Sequence, residues 1–298
     1  MADSPLTWRA EECVYTACYC EENVWWLCKR LEDWKNRPPA PQERQQEDDD
    51  DEDEDDDVDI AGSSGVRRPP MLPLPLDDLS VSVSSPPPGQ QHFVGEWTGY
   101  AVFVTNPKQQ TVMWRQKRGR GADGLIVWDY HVLFVATHHP AESPADDETR
   151  SHRRGGKRRR GAGSHTGPNV YVFDFDTTLG FPVPFDAYSV EAIRQVPPNL
   201  HRTFRVVEAS LFLAQFASDR SHMRRPDGSW QAPPPSYPVI RPPDGQTDMN
   251  LHTYRDMDTN KDGLYGRVYG ESEFVSLFGS ESGVGVLMNG IGVAQPAM

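Results

Sequence analysis

The chain has 298 residues, of which only 37% are hydrophobic, and it contains 27 prolines and 24 glycines. This composition predicts that a good part of the chain packs into no core. The net charge is −14, but twelve acidic residues lie between Glu47 and Asp59. The remainder is nearly neutral, so the overall acidity excludes no class of substrate.

The four cysteines all lie within the first 28 residues, and no apolar signal segment precedes them. We therefore expect reduced thiols and a cytoplasmic protein. No apolar run is long enough to span a bilayer, which argues against a membrane protein. The cysteine spacing also differs from the paired C-x-x-C pattern of structural zinc sites, so no metal is predicted.

An amphipathic helix is predicted from residue 23 on, because apolar residues recur there at three- and four-residue steps. Cys20 then lies at or just before the first turn. Unpaired N–H groups and the positive end of the helix dipole favour a thiolate there, which is the nucleophilic form of cysteine. Asn23 could cap a helix that starts later. The alternative for Cys20 is a small buried hydrophobe.

Two insertions and a tail are predicted to be disordered. Residues 36–91 are acidic and rich in proline, and they act either as a solvated tether or as a site for basic partners. Residues 139–168 are basic, which suggests a flexible loop with nuclear-import potential, and the alternative is a partner for the acidic run of the same chain. No aromatic residues alternate with these charges, so specific nucleic-acid recognition is not expected. Residues 280–298 form the tail.

Four strands are predicted between these insertions and around the second of them. Residues 100–105 and 111–116 are expected to pair as a hairpin. Residues 125–136 are apolar on both faces, which indicates a central buried strand, and they include His131. The strand at 170–176 carries Asp174 and Asp176 on one face. If these last two strands are antiparallel neighbours, a carboxylate can hold the imidazole.

The C-terminal part is predicted to contain a helix at 186–196, a strand at 203–207, and short helices at 210–217 and 272–279. Asp258, Asn260, Asp262 and Gly263 copy the start of a calcium-binding loop. The twelfth position of that loop is Tyr269, where a glutamate is needed, so a surface turn is the better interpretation.

Cys20 at a helix start, His131 in a central strand and Asp174 in the next strand follow the logic of thiol hydrolases. The histidine takes the proton of the thiol, and a carboxylate fixes the tautomer of the histidine. The order alone does not identify an enzyme, because the chain has nine histidines and many aspartates.

The short motifs around these residues identify a protein family better than the order of cysteine, histidine and aspartate does. They resemble the protein N-terminal glutamine amidohydrolase family from about Cys13 to Gly279, outside the two insertions. The matching motifs are CVY at 13–15, CYCEEN at 18–23, YAVF at 100–103, VWDYHV at 127–132, DFDT at 174–177, FASDRSHM at 216–223, PPP at 233–235 and YP at 237–238.

The resemblance implies a papain- or transglutaminase-like α/β fold, with a mostly antiparallel central sheet and the nucleophile-bearing helix packed against it. It implies one catalytic domain over residues 1–279, interrupted at 36–91 and 139–168. The nucleophile falls on Cys20 rather than Cys18, the histidine on His131 and the aspartate on Asp174. Since neither insertion removes a motif residue, activity is expected to survive them.

The activity implied by the resemblance converts an N-terminal Gln of a protein or peptide to Glu and releases ammonia. This step feeds the arginylation branch of N-degron proteolysis, and it needs no metal or cofactor. The expected partners are proteins with an N-terminal Gln and the arginylation machinery. We expect a monomer, located in the cytoplasm and, through the basic loop, in the nucleus.

Several residues are candidates for substrate binding. Glu21, Asp129 and Asp176 could each bind the free α-ammonium group, and Asp176 could replace Asp174 as the partner of His131. Trp128 and Tyr130 are expected in the core or in the pocket wall. His222 is either a surface residue or a pocket residue.

Two other functions stay open from the sequence. A transglutaminase or a peptidase of the same fold would use the same thiol site on a different acceptor. A nuclear binding protein would act through its acidic and basic tracts, with the folded part as a scaffold.

Overall fold

The computed structural model describes residues 4–37, 95–140 and 169–279. The predicted disorder at 36–91, 139–168 and 280–298 therefore lies outside the described residues, except for two residues at the start of each insertion. No helix within the described ranges combines the length and the apolar character needed to cross a membrane.

Helix α1 spans Cys20–Lys35 and begins at Cys20 itself. Its predicted apolar face is buried, with Val24, Leu27, Cys28 and Leu31 inside the core. Asn23 does not cap this helix. Its side chain instead bonds to the backbone of Thr16, accepting the N–H at 2.7 Å and donating to the carbonyl at 2.9 Å. This pair of bonds fixes the loop that leads into α1.

Eight strands occur in the described residues, and six of them form one antiparallel sheet in the order β6-β5-β4-β1-β7-β8. The sheet confirms the mixed α/β class with a mostly antiparallel centre. It also shows that β4 and β5 are the antiparallel neighbours that the sequence allowed. The strands are β1 Gly95–Thr105, β2 Thr111–Met113, β3 Ile126–Trp128, β4 His131–Pro140, β5 Asn169–Phe173, β6 Val183–Pro184, β7 Thr203–Glu208 and β8 Arg267–Gly270.

The predicted hairpin of 100–105 with 111–116 is wrong. β1 pairs with β4 and β7, while β2 pairs with β3 in a separate two-stranded sheet. The Asn106 side chain accepts the N–H groups of Lys108 and Gln110, which closes a local turn. The chain therefore leaves the large sheet after β1. A short-range pattern cannot distinguish this exit from a hairpin.

The predicted single strand at 125–136 is two strands. It breaks at Asp129 and Tyr130, where the Thr105 hydroxyl donates a 3.0 Å hydrogen bond to the Asp129 carbonyl. The second part runs on to Pro140, so β4 extends beyond the predicted end at residue 136 and includes His138. His139, the first residue of the predicted loop at 139–168, also lies in β4. His138 stacks on Trp97 with ring centroids 4.6 Å apart. Burial of this ring pair explains why the strand continues into polar sequence.

Helices cover both faces of the large sheet. Along β1, Ala101 and Phe103 face one core, while Tyr100, Val102 and Val104 face the other. Successive strand residues point to opposite faces, so a strand that is apolar throughout requires both faces to be covered. The helices are α1, α2 Phe185–Tyr188, which continues as a π-helical turn at Ser189–Ile193, α3 Ala209–Gln215, α4 Leu251–Arg255 and α5 Glu271–Gly279.

The register of β1 and β4 gives the sheet two distinct ends. Gly95 pairs with Pro140 at one end, and Val104 pairs with His131 at the other. His131 therefore begins its strand at the end that is remote from Gly95 and Pro140.

The segment that resembles the start of a calcium-binding loop is held together by the guanidinium group of Arg205. The Arg205 side chain is completely buried and donates hydrogen bonds to the carbonyls of Asp256, Asp258 and Tyr265. The Asp262 carboxylate lies 3.9 Å from the same guanidinium. The segment is thus a turn closed by an arginine, in agreement with the surface turn expected from the sequence.

Candidate active site

Cys20 lies at the N-terminus of α1, which packs against β1 and β4. The Val132 N–H, one residue after His131, donates a hydrogen bond to the thiol sulfur. The Glu21 carboxylate lies 3.6 Å from the same sulfur. Among the described residues, Cys20 makes no hydrogen bond to the His131 ring. Such contacts are often long in empty sites and tighten when substrate binds.

His131 is held from two directions. Its Nε2 lies 3.0 Å from Oδ1 of Asp174, and its side chain is 2% exposed. The indole of Trp128 stacks on the imidazole with centroids 5.1 Å apart and an interplanar angle of 9°. Since Nε2 is committed to Asp174, Nδ1 is the ring nitrogen left for proton exchange in the cleft.

Asp174 follows the end of β5 rather than lying within it. Its carboxylate accepts hydrogen bonds from the Asp176 N–H at 2.9 Å, the Tyr188 hydroxyl at 2.7 Å and the Gln116 amide at 3.1 Å, in addition to His131. If β5 continued in register, Asp176 would face His131. The turn after Phe173 brings Asp174 to the ring instead.

These bonds also bear on metal binding. His131, Asp174 and Asp176 offer ligand atoms that all lie within 4.8 Å of one another. Both oxygens of Asp174 already accept N–H or O–H donors, however, so this carboxylate fits the orientation of an imidazole better than the ligation of a cation.

The pKa values of the histidine and the aspartate move apart. Burial by itself lowers the pKa of His131, but the charge and hydrogen bond of Asp174 outweigh burial and raise it above its usual value. Burial by itself raises the pKa of Asp174, but His131 and the bonds from Tyr188 and Asp176 hold it below its usual value. The pair is therefore suited to stabilising a protonated imidazole beside an ionised carboxylate.

The thiol does not follow the sequence-based expectation of a resting thiolate. Burial raises the pKa of Cys20 well above its ordinary value, and the charges of Glu21 and Asp176 raise it further. The Val132 N–H opposes this shift only in part. Desolvation and two acidic neighbours thus outweigh the helix N-terminus. The sulfur therefore rests as a thiol, and it can act as a nucleophile only after a base removes its proton.

An open cleft of about 350 Å³ lies beside the thiol and the imidazole. Seven of the nine predicted site residues line it: Cys20, Trp128, Asp129, Tyr130, His131, Asp176 and His222. The two others, Glu21 and Asp174, are buried behind its wall. The sulfur therefore borders an accessible cavity rather than solid core, which a substrate requires.

The structure adds functional residues that sequence reasoning missed. Gln116 and Tyr188 complete the shell of Asp174, and no local pattern distinguishes them from ordinary strand and helix residues. Arg220 forms a buried ion pair with Glu22 and donates to carbonyls of the following loop. Its left-handed φ of 65° within the SDRSHM motif marks a constrained position.

The comparisons with known proteins cover most of the chain. Residues 87–278 match the family model described as N-terminal glutamine amidase. A protein N-terminal glutamine amidohydrolase of Drosophila virilis is 35% identical over 93% of this chain and 94% of its own length. The chain belongs to the N-terminal glutamine amidase family. A second relative with the same description, from Drosophila melanogaster, is 33% identical over 91% of this chain and 90% of its own.

The family match contains His131 and Asp174, with all the strands of the large sheet. It begins after α1, so Cys20 lies outside the matched residues and is brought beside them by the packing of α1 against β4.

Proposed function

We propose that this chain hydrolyses the side-chain amide of an N-terminal Gln in proteins or peptides, giving Glu and ammonia. Its family and the names of its relatives support this activity. The observation that carries the mechanism is the His131 ring, fixed by Asp174 and Trp128 at the cleft that Cys20 also lines.

In the first half-reaction, His131 takes the proton of the Cys20 thiol as the sulfur attacks the carboxamide carbon of the substrate. Backbone N–H groups at the start of α1 stabilise the developing oxyanion. When the tetrahedral intermediate collapses, the carbon–nitrogen bond breaks. The imidazolium of His131 gives its proton to the departing nitrogen, ammonia leaves, and a thioester to Cys20 remains.

In the second half-reaction, a water molecule enters the position vacated by ammonia. His131 removes one of its protons, and the hydroxide adds to the thioester carbon. The carbon–sulfur bond then breaks, the sulfur regains its proton from His131, and the product carries a γ-carboxyl group. Asp174 keeps the same imidazole edge turned to the cleft in both halves, so one histidine serves as base and acid twice.

The finer fold assignment belongs to the same proposal. The fold assignment is supported by a nucleophile at a helix start that packs against antiparallel strands. One of these strands begins with the histidine, and the aspartate follows the end of the next, as expected for a papain- or transglutaminase-like cysteine hydrolase. One copy of the chain supplies all three residues, which is compatible with a monomer.

The cellular role that we propose is the supply of N-terminal Glu to arginylation in N-degron proteolysis, in the cytoplasm and the nucleus. A reporter protein that begins with Gln should become long-lived in cells that lack this chain. A reporter that begins with Glu should be degraded as before, because the proposed step lies upstream of it.

Mass spectrometry and ammonia release test the reaction itself. A peptide that begins with Gln should be deamidated at its first residue, whereas a peptide with only internal Gln, or with an N-terminal Asn, should not. Turnover of internal Gln, or cross-linking to an amine, would favour a transglutaminase. Cleavage of the peptide bond would favour a peptidase.

A matched pair of cysteine variants tests the nucleophile. Cys20→Ser should lose roughly 10³-fold or more of the wild-type turnover, since the weaker nucleophile meets the same base. Cys18→Ser should keep most of it, because Cys18 is exposed at the cleft, lies before the start of α1, and its sulfur accepts a hydrogen bond from Arg118. The reverse result would move the nucleophile to Cys18.

A further inference from the structure

We propose that Glu21 binds the free α-ammonium group of the substrate and thereby makes the site selective for a chain terminus. This inference rests on the proposed deamidation, and it chooses one residue among the three acidic candidates of the cleft region.

The first turn of α1 carries two completely buried glutamates with different surroundings. Glu22 forms an ion pair with a side chain of the protein itself. Its carboxylate accepts hydrogen bonds from two N–H groups of Arg220 at 2.9 and 3.0 Å and from the Ser218 hydroxyl at 2.8 Å. Glu21 has no lysine or arginine partner within the described residues. A buried carboxylate is costly without a compensating positive group, so Glu21 is suited to receive one from a ligand.

One oxygen of Glu21 is occupied and the other is not. Oε2 accepts the Tyr130 hydroxyl at 2.9 Å and lies 3.6 Å from the Cys20 sulfur. Oε1 is buried and has no hydrogen-bond donor among the described residues. His222 Nε2 lies 3.2 Å from Oε1, but without the alignment of a hydrogen bond. Within the described part of the chain, neither ring nitrogen of His222 has a hydrogen-bond partner. The ring lines the cleft and lies against Oε1.

The distances fit an N-terminal Gln. Four bonds separate the carboxamide carbon from the α-nitrogen, so these atoms can lie at most about 5 Å apart. A carbon placed for attack lies about 3–3.5 Å from the sulfur. Since Glu21 Oε2 is itself 3.6 Å from that sulfur, the α-ammonium can reach the Glu21 carboxylate while the carboxamide faces Cys20.

The two other acidic candidates already have positive neighbours. Asp129 is 60% exposed at its side chain and lies 3.6 Å from Arg255. Burial raises the pKa of Asp176, while the positive charges of His131, Arg118 and Lys117 oppose that rise. An ammonium beside Asp176 would also lie close to His131, which must become positive during the reaction.

Tyr130 and His222 then have defined positions in the subsite. The Tyr130 hydroxyl fixes the Glu21 carboxylate by its hydrogen bond to Oε2. The His222 ring lies beside Oε1, at the position that the α-ammonium group of the substrate would occupy after displacing the ring. The Arg255 guanidinium lies 4.2 Å from the Tyr130 ring centroid, which restrains that ring.

A cycle of two enzymes and two substrates tests this assignment. The enzymes are the wild type and Glu21→Gln, which keeps the shape of the side chain. The substrates are a peptide that begins with Gln and the same peptide with the α-amino group replaced by hydrogen. We expect Glu21→Gln to lower kcat/KM for the amino peptide at least about 100-fold more than for the des-amino peptide. The same cycle with Asp129→Asn and with Asp176→Asn should show no such difference.

An equal loss on both substrates would overturn the assignment and make Glu21 a support of Cys20 and Tyr130. A substrate-dependent loss in Asp129→Asn or Asp176→Asn alone would move the subsite there. If the des-amino peptide turns over too slowly to measure, calorimetric binding of both peptides to Cys20→Ala, with and without Glu21→Gln, gives the same comparison. Absence of turnover by the wild type on the amino peptide would instead contradict the proposed deamidation.

Discussion

The hydroxyl of Tyr188 donates a 2.7 Å hydrogen bond to Oδ2 of Asp174, the oxygen that His131 does not use. Tyr188 is the last residue of α2 and belongs to the core on the face of the sheet opposite to α1. The hydrogen bond therefore connects that core to the candidate active site. The aspartate that orients His131 is thereby itself held in place.

Replacement of Tyr188 by Phe tests this support. The Asp174 oxygen loses a buried donor, so kcat should fall roughly 3- to 10-fold and the free energy of unfolding by about 1–2 kcal/mol. Steady-state ammonia release and urea unfolding measure the two effects.

Tyr254→Phe is the matched control for that change. Tyr254 is also completely buried, but its hydroxyl has no hydrogen-bond partner among the described residues. Its removal should leave kcat unchanged and should not lower stability. Equal effects of the two variants would show that the Tyr188 bond has no special role.

The pH dependence of kcat/KM follows from the His131–Asp174 pair. In the proposed mechanism the neutral imidazole acts as the base, and its pKa lies above the ordinary value of 6.5 because Asp174 outweighs burial. Activity should therefore rise with pH through a midpoint above 6.5. In Asp174→Asn the effect of burial is no longer opposed by that charge, so the midpoint should move to lower pH along with a large loss of kcat.

Initial rates with the Gln-initiated peptide over a range of pH, each corrected for enzyme stability, measure this midpoint. If the midpoint is the same in Asp174→Asn and in the wild type, a group other than His131 determines the loss of activity at low pH.

The buried pair of Glu22 and Arg220 should dominate the stability of the 218–240 loop. Arg220→Met leaves Glu22 buried without its cation and should cost about 3–5 kcal/mol of unfolding free energy. It should also lower activity, because the loop supplies His222 and Gln231 to the cleft.

The exposed pair of Lys29 with Asp33 on α1 provides the comparison. Lys29→Ala should change the unfolding free energy by at most about 0.5 kcal/mol. Urea denaturation of both variants decides the point, and similar small losses would mean that the Arg220 contacts add little.

The calcium-like turn should not respond to calcium. The guanidinium of Arg205 already occupies the carbonyls of Asp256, Asp258 and Tyr265. Millimolar calcium or a chelator should therefore leave the thermal midpoint unchanged. Arg205→Met should lower stability by several kcal/mol, since each orphaned buried carbonyl costs about 1–3 kcal/mol. A calcium-dependent rise in the midpoint of the wild type would contradict this interpretation.

Local patterns were sufficient for the elements that carry the reactive side chains. The spacing on α1 predicts Cys20 at or just before a helix start, and the helix begins at Cys20. This prediction depends on periodicity within one segment, which a sequence reports directly. The sequence also allowed the strands at 131 and 170 to be antiparallel neighbours, and the structure shows that they are.

Other features depend on contacts between distant segments and could not be predicted in the same way. The exit of the chain at Asn106 places β2 in a second sheet, and a turn after Phe173 decides that Asp174 rather than Asp176 meets His131. The state of the Cys20 thiol also depends on surroundings that only the folded chain defines. The helix position favours a thiolate, but burial beside two carboxylates has the larger effect.

The pairing of Gly95 with Pro140 marks the end of the large sheet that is remote from the reactive side chains. Pro140 lies nine residues along β4 from His131, about 30 Å away, and α1 carries its C-terminus about 22 Å from Cys20. The described residues that precede the two long tracts, Arg37 and Pro140, thus lie at points remote from the thiol and the imidazole. A change in the length or charge of either tract should therefore leave the positions of Cys20 and His131 unchanged.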